Sequence, residues 1–435
     1  MTASGLVRAG QFNQAVRQAA YIFIALALPR LGVSTALIGE WESLLFLGYL
    51  LGFGWTSGLL QGFLVTIGKL TGLRAEHFAR RAVLLIMGFS AALLLLATLL
   101  HTPLFTLLQF SSPPVGWYLF FLLLLSRWPS YCFEQALLLT DRAAMLTVYT
   151  VVNALALCIS LLLPLYLGYD LLHAMHLLGA YAGAKFFGIL TWSLIRKPLP
   201  PEALPASPLK PWLATSRPLI AYATIGALVT AVDPWIVNYW SGGDEEIFAI
   251  FRYGVRELPF LAAMISGMVV VTIPAIARQG AAGLQLLREQ SRKLYHLVFG
   301  LTLLLLLTAD YWWTRVFTEA FAASIPVFRT YLLVVGCRLV FAMTVLTALS
   351  QTRRIYLWGL LELAVNVVVS LALAPYFGLL GIIWGTVIAS YFHELCLVLY
   401  LRYRTATGWT AYADLRWYFG YLLLLFACYG WSMYP

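Results

Sequence analysis

The sequence predicts an all-α polytopic membrane protein with about 12–13 transmembrane helices. Of the 435 residues, 62% are hydrophobic and 11% are charged, whereas a soluble domain carries about 25% charged residues. Apolar segments of the length that crosses a bilayer, about 20 residues, recur along the whole chain. Lys and Arg concentrate in alternate connections between these segments, which is typical of multi-pass membrane proteins.

The predicted membrane-spanning helices follow one another with short connections. In chain order, they are 14–31, 43–67, 82–100, 116–139, 144–167, 171–195, 218–240, 247–276, 294–313, 325–349, 355–374, 378–401 and 416–433. For the last segment, a helix lying in the membrane interface is an alternative to a span.

The distribution of basic residues orients the predicted helices. With the N-terminus placed in the cytoplasm, the connections and helix ends on the opposite side hold only Arg30, Arg315 and Arg329. Cytoplasmic connections of membrane proteins carry an excess of Lys and Arg. We therefore predict a cytoplasmic N-terminus, and the net charge of +10 needs no nucleic-acid partner to explain it.

A proline-rich segment divides the chain. Residues 197–216 have the composition of a cytoplasmic linker. They separate six predicted spans in an N-terminal lobe, 1–196, from six in a C-terminal lobe, 217–404, and an extra hydrophobic segment follows at 405–435. Equal numbers of spans predict two parallel repeats related by an axis along the membrane normal.

Charged residues inside the predicted spans are the main functional candidates. A charge near the bilayer centre costs roughly 2.5–3.5 kcal/mol on insertion scales, so such residues face partners or wet cavities. Arg252 and Arg256 are four residues apart in the span 247–276, which places them on one helix face, with Glu257 beside them. The other ionisable candidates in the spans or at their ends are Arg30, Arg127, Glu134, Lys185, Asp233, Arg338, Glu362 and Glu394.

Two interpretations of these charges stay open. One is internal pairing, for example between Arg127 and Glu134, which are seven residues apart on one face, or through Glu362 and Glu394. The other is a binding site for an anion, because planar guanidinium groups bind phosphate through two hydrogen bonds.

The glycine and cysteine patterns indicate packing. Gly54, Gly58 and Gly62 lie four residues apart in the second span, with Gly48 and Gly52 on a neighbouring face. This spacing permits close helix contact, with a bending point as the alternative. The five cysteines lie in apolar runs without CxxC spacing, which predicts small core residues and neither a disulfide framework nor a metal site.

Three motifs in the second half of the chain carry a family resemblance. They are an acid in "VDPWIVNYWSGGDEEIFAIFRYGVRELP", the helix end "TIPAIARQG", and "ALSQTRRIYLWGLLELAVNVVVSLALAPYFGLLGIIWGTVIAS". With these three motifs in this order, residues 230–402 resemble the polysaccharide, or O-antigen, flippases of the MOP superfamily (multidrug, oligosaccharidyl-lipid, polysaccharide exporters). The first half is similar mainly in its layout of spans, and the family usually has twelve or fourteen of them.

The resemblance implies two six-helix lobes around a central cavity of alternating access in the bacterial inner membrane. It implies export of a glycan linked to a polyprenyl pyrophosphate, with membrane lipids and a glycan polymerase or glycosyltransferases of the same pathway as partners. No cofactor is expected beyond coupling to Na⁺ or H⁺. The expected substrate-binding residues are Arg252, Arg256, Arg30, Lys185 and Arg338, and those for ion coupling or charge pairing are Asp233, Glu257, Arg127, Glu134, Glu362 and Glu394.

Other functions compete with the flippase. A multidrug or cation antiporter of the same superfamily is disfavoured because the first predicted span has no acid to meet a cation. An integral-membrane glycan polymerase or ligase is disfavoured because the outer connections are short, and His173 and His176 have no acid nearby beyond Asp170. A flippase-like scaffold without transport is a further alternative. We therefore predict that the chain is not an enzyme.

Overall fold

The computed structural model describes residues 3–70, 72–140, 142–195, 208–256, 259–349 and 352–433. Within these ranges the chain forms helices and no β-strand. The α-helices are α1 (Ala3–Arg30), α2 (Thr35–Ile67), α3 (Gly72–Leu99), α4 (His101–Leu107), α5 (Trp117–Leu139), α6 (Ala143–Tyr166), α7 (Leu171–Leu194), α8 (Leu209–Ser241), α9 (Glu245–Gly254), α10 (Pro259–Gln279), α11 (Ala281–Phe317), α12 (Ile325–Leu332), α13 (Val334–Arg338), α14 (Ala342–Ala348), α15 (Thr352–Phe377), α16 (Leu379–Arg404) and α17 (Leu415–Met433). Short 3₁₀ helices occupy Glu319–Ser324 and Trp409–Ala411. The predicted all-α fold is confirmed.

Nine helical segments of the described chain are long and apolar enough to cross a membrane. They are α2, α3, α6, α7, α8, α11, the segment Glu319–Ala348, residues 357–377 of α15, and α16. Four further helices coincide with predicted spans: α1, α5, α10 and α17 have 28, 23, 21 and 19 residues. The prediction of a multi-pass membrane protein is confirmed, whereas the number of spans and their orientation stay predictions.

The predicted span 247–276 is not one helix. Helix α9 ends at Gly254 and α10 begins at Pro259. Proline has no backbone N–H to donate to the carbonyl oxygen four residues earlier, which favours a helix break at this point. Arg256 therefore lies beyond the end of α9, and the prediction that it shares a helix face with Arg252 is wrong. Glu257 lies outside the described residues.

The predicted span 325–349 is also interrupted. It consists of α12, α13 and α14. Phe341, at the start of α14, has a φ of 59°, a left-handed conformation that is rare for a bulky residue and ends helical continuity.

Packing divides the chain into two compact units. The first is Met1–Leu228 with Asp244–Glu246, and the second is Val229–Gly243 with Ile247–Pro435. The division falls within α8, after the linker that the sequence predicts at 197–216, part of which lies outside the described residues.

In the first unit, glycines bring helices close together. A Cβ at Gly58 of α2 would overlap the backbone of Ile220 in α8, and Gly54 and Gly62 likewise face Thr224 and Ser216. Gly48 and Gly52 face side chains of α5. Close contact matters inside a membrane because van der Waals packing replaces the hydrophobic effect as a source of helix association. The glycine pattern therefore serves helix packing, as predicted.

In the second unit, α15 and α16 form an antiparallel hairpin. The close approach depends on Gly381 and Gly385, where a Cβ would overlap the backbone of Leu373 and Ser370 in α15. Helix α17 packs on the same unit through Tyr418, whose hydroxyl donates to the carbonyl oxygen of Gly336 at 3.1 Å. All five cysteines are free thiols.

Candidate functional site

A polar pocket lies inside the first unit, between α1, α5, α6 and α7. Its polar lining residues are Asn13, Arg17, Tyr21, Arg127, Ser130, Tyr131, Glu134, Thr150, Asn153, Tyr181 and Lys185. We call this set the first-unit pocket. Side chains three or four residues apart lie on the same helix face, which explains how Asn13, Arg17 and Tyr21 of α1 face Tyr181 and Lys185 of α7 across one space.

Glu134 is the acid of the first-unit pocket. One of its carboxylate oxygens accepts a hydrogen bond from Asn13 Nδ2 at 2.9 Å and lies 3.2 Å from Arg17 Nη1. Thr150 donates to Asn13 Oδ1 at 2.6 Å, which orients that amide. The Glu134 side chain is 5% exposed and that of Arg17 is 34% exposed, so the acid of this pair is buried and its cation is partly exposed.

Arg127 and Lys185 lie among tyrosines. Arg127 Nε donates to Tyr131 Oη at 2.8 Å, and its guanidinium carbon lies 4.7 Å from the Tyr21 ring centre. Lys185 Nζ lies 5.9 Å from the Tyr181 ring centre. Aromatic faces attract cations, so these rings hold positive charge in the pocket without neutralising it. Glu134 pairs with Arg17 from α1, although the sequence placed Arg127 and Glu134 together on one face of α5.

The charge balance of the first-unit pocket is positive. Among its described lining residues, three have positively charged side chains, Arg17, Arg127 and Lys185, and one, Glu134, has a negatively charged side chain. The space that admits the centre of a water molecule is about 20 Å³, enough for one or two waters. The pocket is therefore narrow in this conformation.

The predicted substrate-binding residues are distributed over both units. Lys185 lines the first-unit pocket, whereas Arg30 is exposed at the last turn of α1. Arg252, Arg256 and Arg338 belong to the second unit. The Arg256 guanidinium stacks over Tyr253 at 4.6 Å, and Arg338 Nη2 lies 3.4 Å from Tyr331 Oη.

A ladder of polar side chains lines the α15–α16 hairpin of the second unit. The hydroxyl oxygen of Ser370 lies 2.9 Å from Asn366 Oδ1 and 3.1 Å from the carbonyl oxygen of Ile382, and its one proton is shared between these two acceptors. One oxygen of Asp233, from α8, accepts from Asn366 Nδ2 at 2.7 Å and the other from Thr386 at 2.6 Å. Both carboxylate oxygens of Asp233 therefore have a donor.

The ladder continues to a second acidic group. Ser390 lies 3.3 Å from one oxygen of Glu362, and His393 Nδ1 lies 3.2 Å from the other. Glu394 follows His393 on α16, and its Oε2 atom is buried and has no hydrogen-bond partner among the described residues.

Sequence reasoning missed several residues of both sites. Arg17 is absent from the residues that the sequence predicts for a site, but the spacing of four between Asn13, Arg17 and Tyr21 is a signal for one polar helix face. The same spacing relates Glu362 and Asn366 to Ser370, and Ile382 to Thr386 and Ser390. The serines and threonines of these sites were not predicted, because serine and threonine in an apolar helix also occur as packing residues.

The fold matches known structures of membrane transport proteins. A structure described as "Lipid II flippase MurJ, inward closed conformation" aligns with a TM-score of 0.68 at 13% identity, covering 97% of this chain and 91% of that chain. An outward-facing multidrug resistance MATE family transporter of the MOP superfamily aligns with a TM-score of 0.58 at 14% identity, covering 92% and 95%.

A third match is a MOP superfamily transporter from Pyrococcus furiosus, described by a reverse polarity of its binding pocket that suggests a different function. It aligns with a TM-score of 0.59 at 11% identity, covering 92% and 95%. No family model and no curated protein matches the sequence. At these identities the matches establish the fold, which is that of MOP-superfamily transporters. The predicted resemblance is confirmed at the level of the fold.

Proposed function

We propose that the chain is a flippase that moves a lipid-linked glycan with a pyrophosphate headgroup, and that the first-unit pocket binds the anionic part of this substrate. The observation that carries the proposal is the surplus of cations, with Arg17, Arg127 and Lys185 facing one carboxylate, Glu134. Charges are costly in the apolar part of a membrane. A phosphorylated ligand would compensate the surplus and accept hydrogen bonds from planar guanidinium groups.

The geometry supports a cycle of opening and closing. A space for one or two waters admits no sugar headgroup, so α1, α5, α6 and α7 must separate before the substrate binds. The Arg17–Glu134 pair joins α1 to α5, which makes it a contact that breaks on opening. An incoming phosphate would take the place of Glu134 beside Arg17. The predicted contributions of Arg252, Arg256, Arg30 and Arg338 belong to the same proposal, as does a location in the bacterial inner membrane with a cytoplasmic N-terminus.

A cation or drug antiporter is a second candidate, and one observation favours it. The sequence argument against it was the lack of an acid in the first span, but α5 supplies Glu134 to the first-unit pocket. A buried carboxylate beside the rings of Tyr21 and Tyr131 has the chemistry to receive an organic cation. The MATE transporters of the same fold keep this candidate open.

Equilibrium binding of two opposite probes tests the proposal. Purified protein in detergent is titrated with a polyprenyl pyrophosphate and, separately, with tetraphenylphosphonium, a lipophilic cation. We expect binding of the pyrophosphate, at least tenfold weaker in Arg127→Gln and unchanged in the matched control Arg288→Gln, whose side chain is exposed on α11. Binding of the cation alone, abolished in Glu134→Gln, would instead establish the antiporter.

A further inference from the structure

Tyr131 lies between the two charged residues that α5 contributes to the first-unit pocket. It follows Arg127 by four residues and precedes Glu134 by three, so the three side chains share one helix face. Arg127 Nε donates to the Tyr131 hydroxyl oxygen at 2.8 Å. The tyrosine therefore occupies the place beside Arg127 that a pairing with Glu134 would require.

The ring of Tyr131 contacts a second arginine. The guanidinium carbon of Arg17, from α1, lies 4.9 Å from the centre of the Tyr131 ring. The same guanidinium lies 3.2 Å from the Glu134 carboxylate. Two residues of α5 therefore hold Arg17 at once: the carboxylate compensates its charge, whereas the ring attracts the charge and leaves it in place.

Tyr131 thus offers a different electron-rich group to each arginine. Its hydroxyl oxygen is a hydrogen-bond acceptor, and its ring face carries the negative part of the aromatic quadrupole. A carboxylate at this position would cancel one of the two positive charges, but a neutral tyrosine keeps both. Each guanidinium has five N–H donors, so these contacts leave donors of Arg17 and Arg127 for an anion.

We propose that Tyr131 is a positioning residue of the first-unit pocket, which holds Arg17 and Arg127 in the orientation in which both bind the anionic headgroup. This inference rests on the proposed function. When the headgroup takes the place of Glu134 beside Arg17, the Tyr131 ring keeps that guanidinium in position during the exchange. Side chains that are ordered before a ligand arrives lose less conformational entropy on binding, so the tyrosine raises the affinity of the arginines for the anion.

The other partners of the two arginines do not link them. Among the hydrogen bonds, ion pairs and ring contacts of the described residues, Tyr21 contacts Arg127 and Glu134 contacts Arg17. Tyr131 contacts both. Removal of its hydroxyl group alone therefore releases Arg127, whereas removal of the whole ring releases both arginines. Tyr131→Phe and Tyr131→Leu separate these two effects.

A double-mutant cycle tests whether the hydroxyl group acts through Arg127. A polyprenyl pyrophosphate is titrated into wild type, Tyr131→Phe, Arg127→Gln and the double variant. We expect Tyr131→Phe to bind roughly three- to tenfold more weakly than wild type, as for the loss of one hydrogen bond, and to cause no further loss when Arg127→Gln is present. Tyr118→Phe, which removes a hydroxyl group from an exposed position on the same helix, is the matched control and keeps wild-type affinity.

The cycle also defines what would overturn the proposal. Wild-type affinity in Tyr131→Phe would show that the hydroxyl group does not order the arginine for binding. An equal loss from Tyr131→Phe in both backgrounds would show an effect that does not pass through Arg127, as expected of a merely structural residue. Tyr131→Leu should bind more weakly than Tyr131→Phe, and equal affinities of these two variants would contradict the role of the ring in holding Arg17.

A measurement without substrate separates this inference from the proposed function. Arginine labelled with ¹⁵N is incorporated into the protein, and Arg127→Gln identifies the Nε–H resonance of Arg127. We expect this N–H group to be protected from exchange with water in wild type and in Tyr118→Phe, and to lose its protection in Tyr131→Phe. Unchanged protection in Tyr131→Phe would overturn the positioning role. Failure of wild type to bind the pyrophosphate would instead sink the proposed function, and the exchange measurement would still decide whether Tyr131 orders Arg127.

Discussion

Neutralising Glu134 changes the affinity of the first-unit pocket in opposite directions for the two candidate substrates. Glu134→Gln keeps an oxygen for the hydrogen bond from Asn13 but removes the negative charge that Arg17 meets at 3.2 Å. Under the flippase proposal, Arg17 is then available to a phosphate without first leaving a carboxylate. The variant should therefore bind a polyprenyl pyrophosphate more tightly than wild type.

The size of this effect follows from the geometry of the pair. Two unit charges 3.2 Å apart interact by about 5 kcal/mol at an effective dielectric constant of about 20. Arg17 is 34% exposed, and both desolvation and solvent screening reduce the net value of such a pair to roughly 1–2 kcal/mol. Because about 1.4 kcal/mol is tenfold in a binding constant, we expect an affinity increase of roughly 5–30-fold.

The assay is equilibrium binding of the polyprenyl pyrophosphate at several salt concentrations. Glu289→Gln serves as the control, since it removes one negative charge from an exposed site on α11. Pyrophosphate affinity equal to wild type in Glu134→Gln, or weaker than wild type, would refute the idea that Glu134 competes with the substrate for Arg17. Weaker binding of tetraphenylphosphonium in the same variant would favour the antiporter.

Two further predictions concern stability. Gly58→Ala places a methyl group against the backbone of α8 and should destabilise the protein by roughly 1–3 kcal/mol, which lowers the midpoint of thermal unfolding. The control Gly88→Ala has open space around the added methyl group and should leave the midpoint unchanged. Equal midpoints for the two variants would contradict the close α2–α8 contact. The backbone N–H of His173 donates to the Asp170 carboxylate at the start of α7 and lowers the pKa of Asp170. The cap therefore contributes to folding stability above the ordinary pKa of an aspartate, and this contribution is lost as pH falls through the lowered pKa of Asp170. Asp170→Ala should reduce the dependence of unfolding on acid pH. An unchanged pH profile of unfolding in this variant would argue against the cap.

The sequence was sufficient for the fold class because long apolar helices leave a strong compositional signal. The sequence did not reveal the helix break between Gly254 and Pro259, because the hydropathy of 247–276 continues across that break. Proline inside a span does not by itself end a helix: Pro129 and Pro164 lie within α5 and α6. Gly254, the last residue of α9, lies so close to Val327 that a Cβ there would overlap its side chain, and a contact of this kind is not visible in a local pattern.

The candidate sites were predicted in part. An ionisable residue in an apolar helix is conspicuous, which is why Lys185, Arg127, Glu134, Asp233, Glu362 and Glu394 were selected from the sequence. Which charges meet is set by the three-dimensional arrangement of helices, so the pairing of Glu134 with Arg17, 117 residues away, was not accessible. His393 escaped notice because a single histidine in a helix carries no pattern of its own.

Reconstituted transport tests the cationic pocket most directly. A polyprenyl pyrophosphate-linked sugar is placed in one leaflet of proteoliposomes, and its appearance in the other leaflet is followed for wild type, the double variant Arg127→Gln/Lys185→Gln and the exposed control Arg288→Gln. We predict that the double variant loses translocation while the control retains it, with equal amounts of folded protein in each preparation. Translocation at the wild-type rate in the double variant would show that the substrate does not depend on the charges of the first-unit pocket.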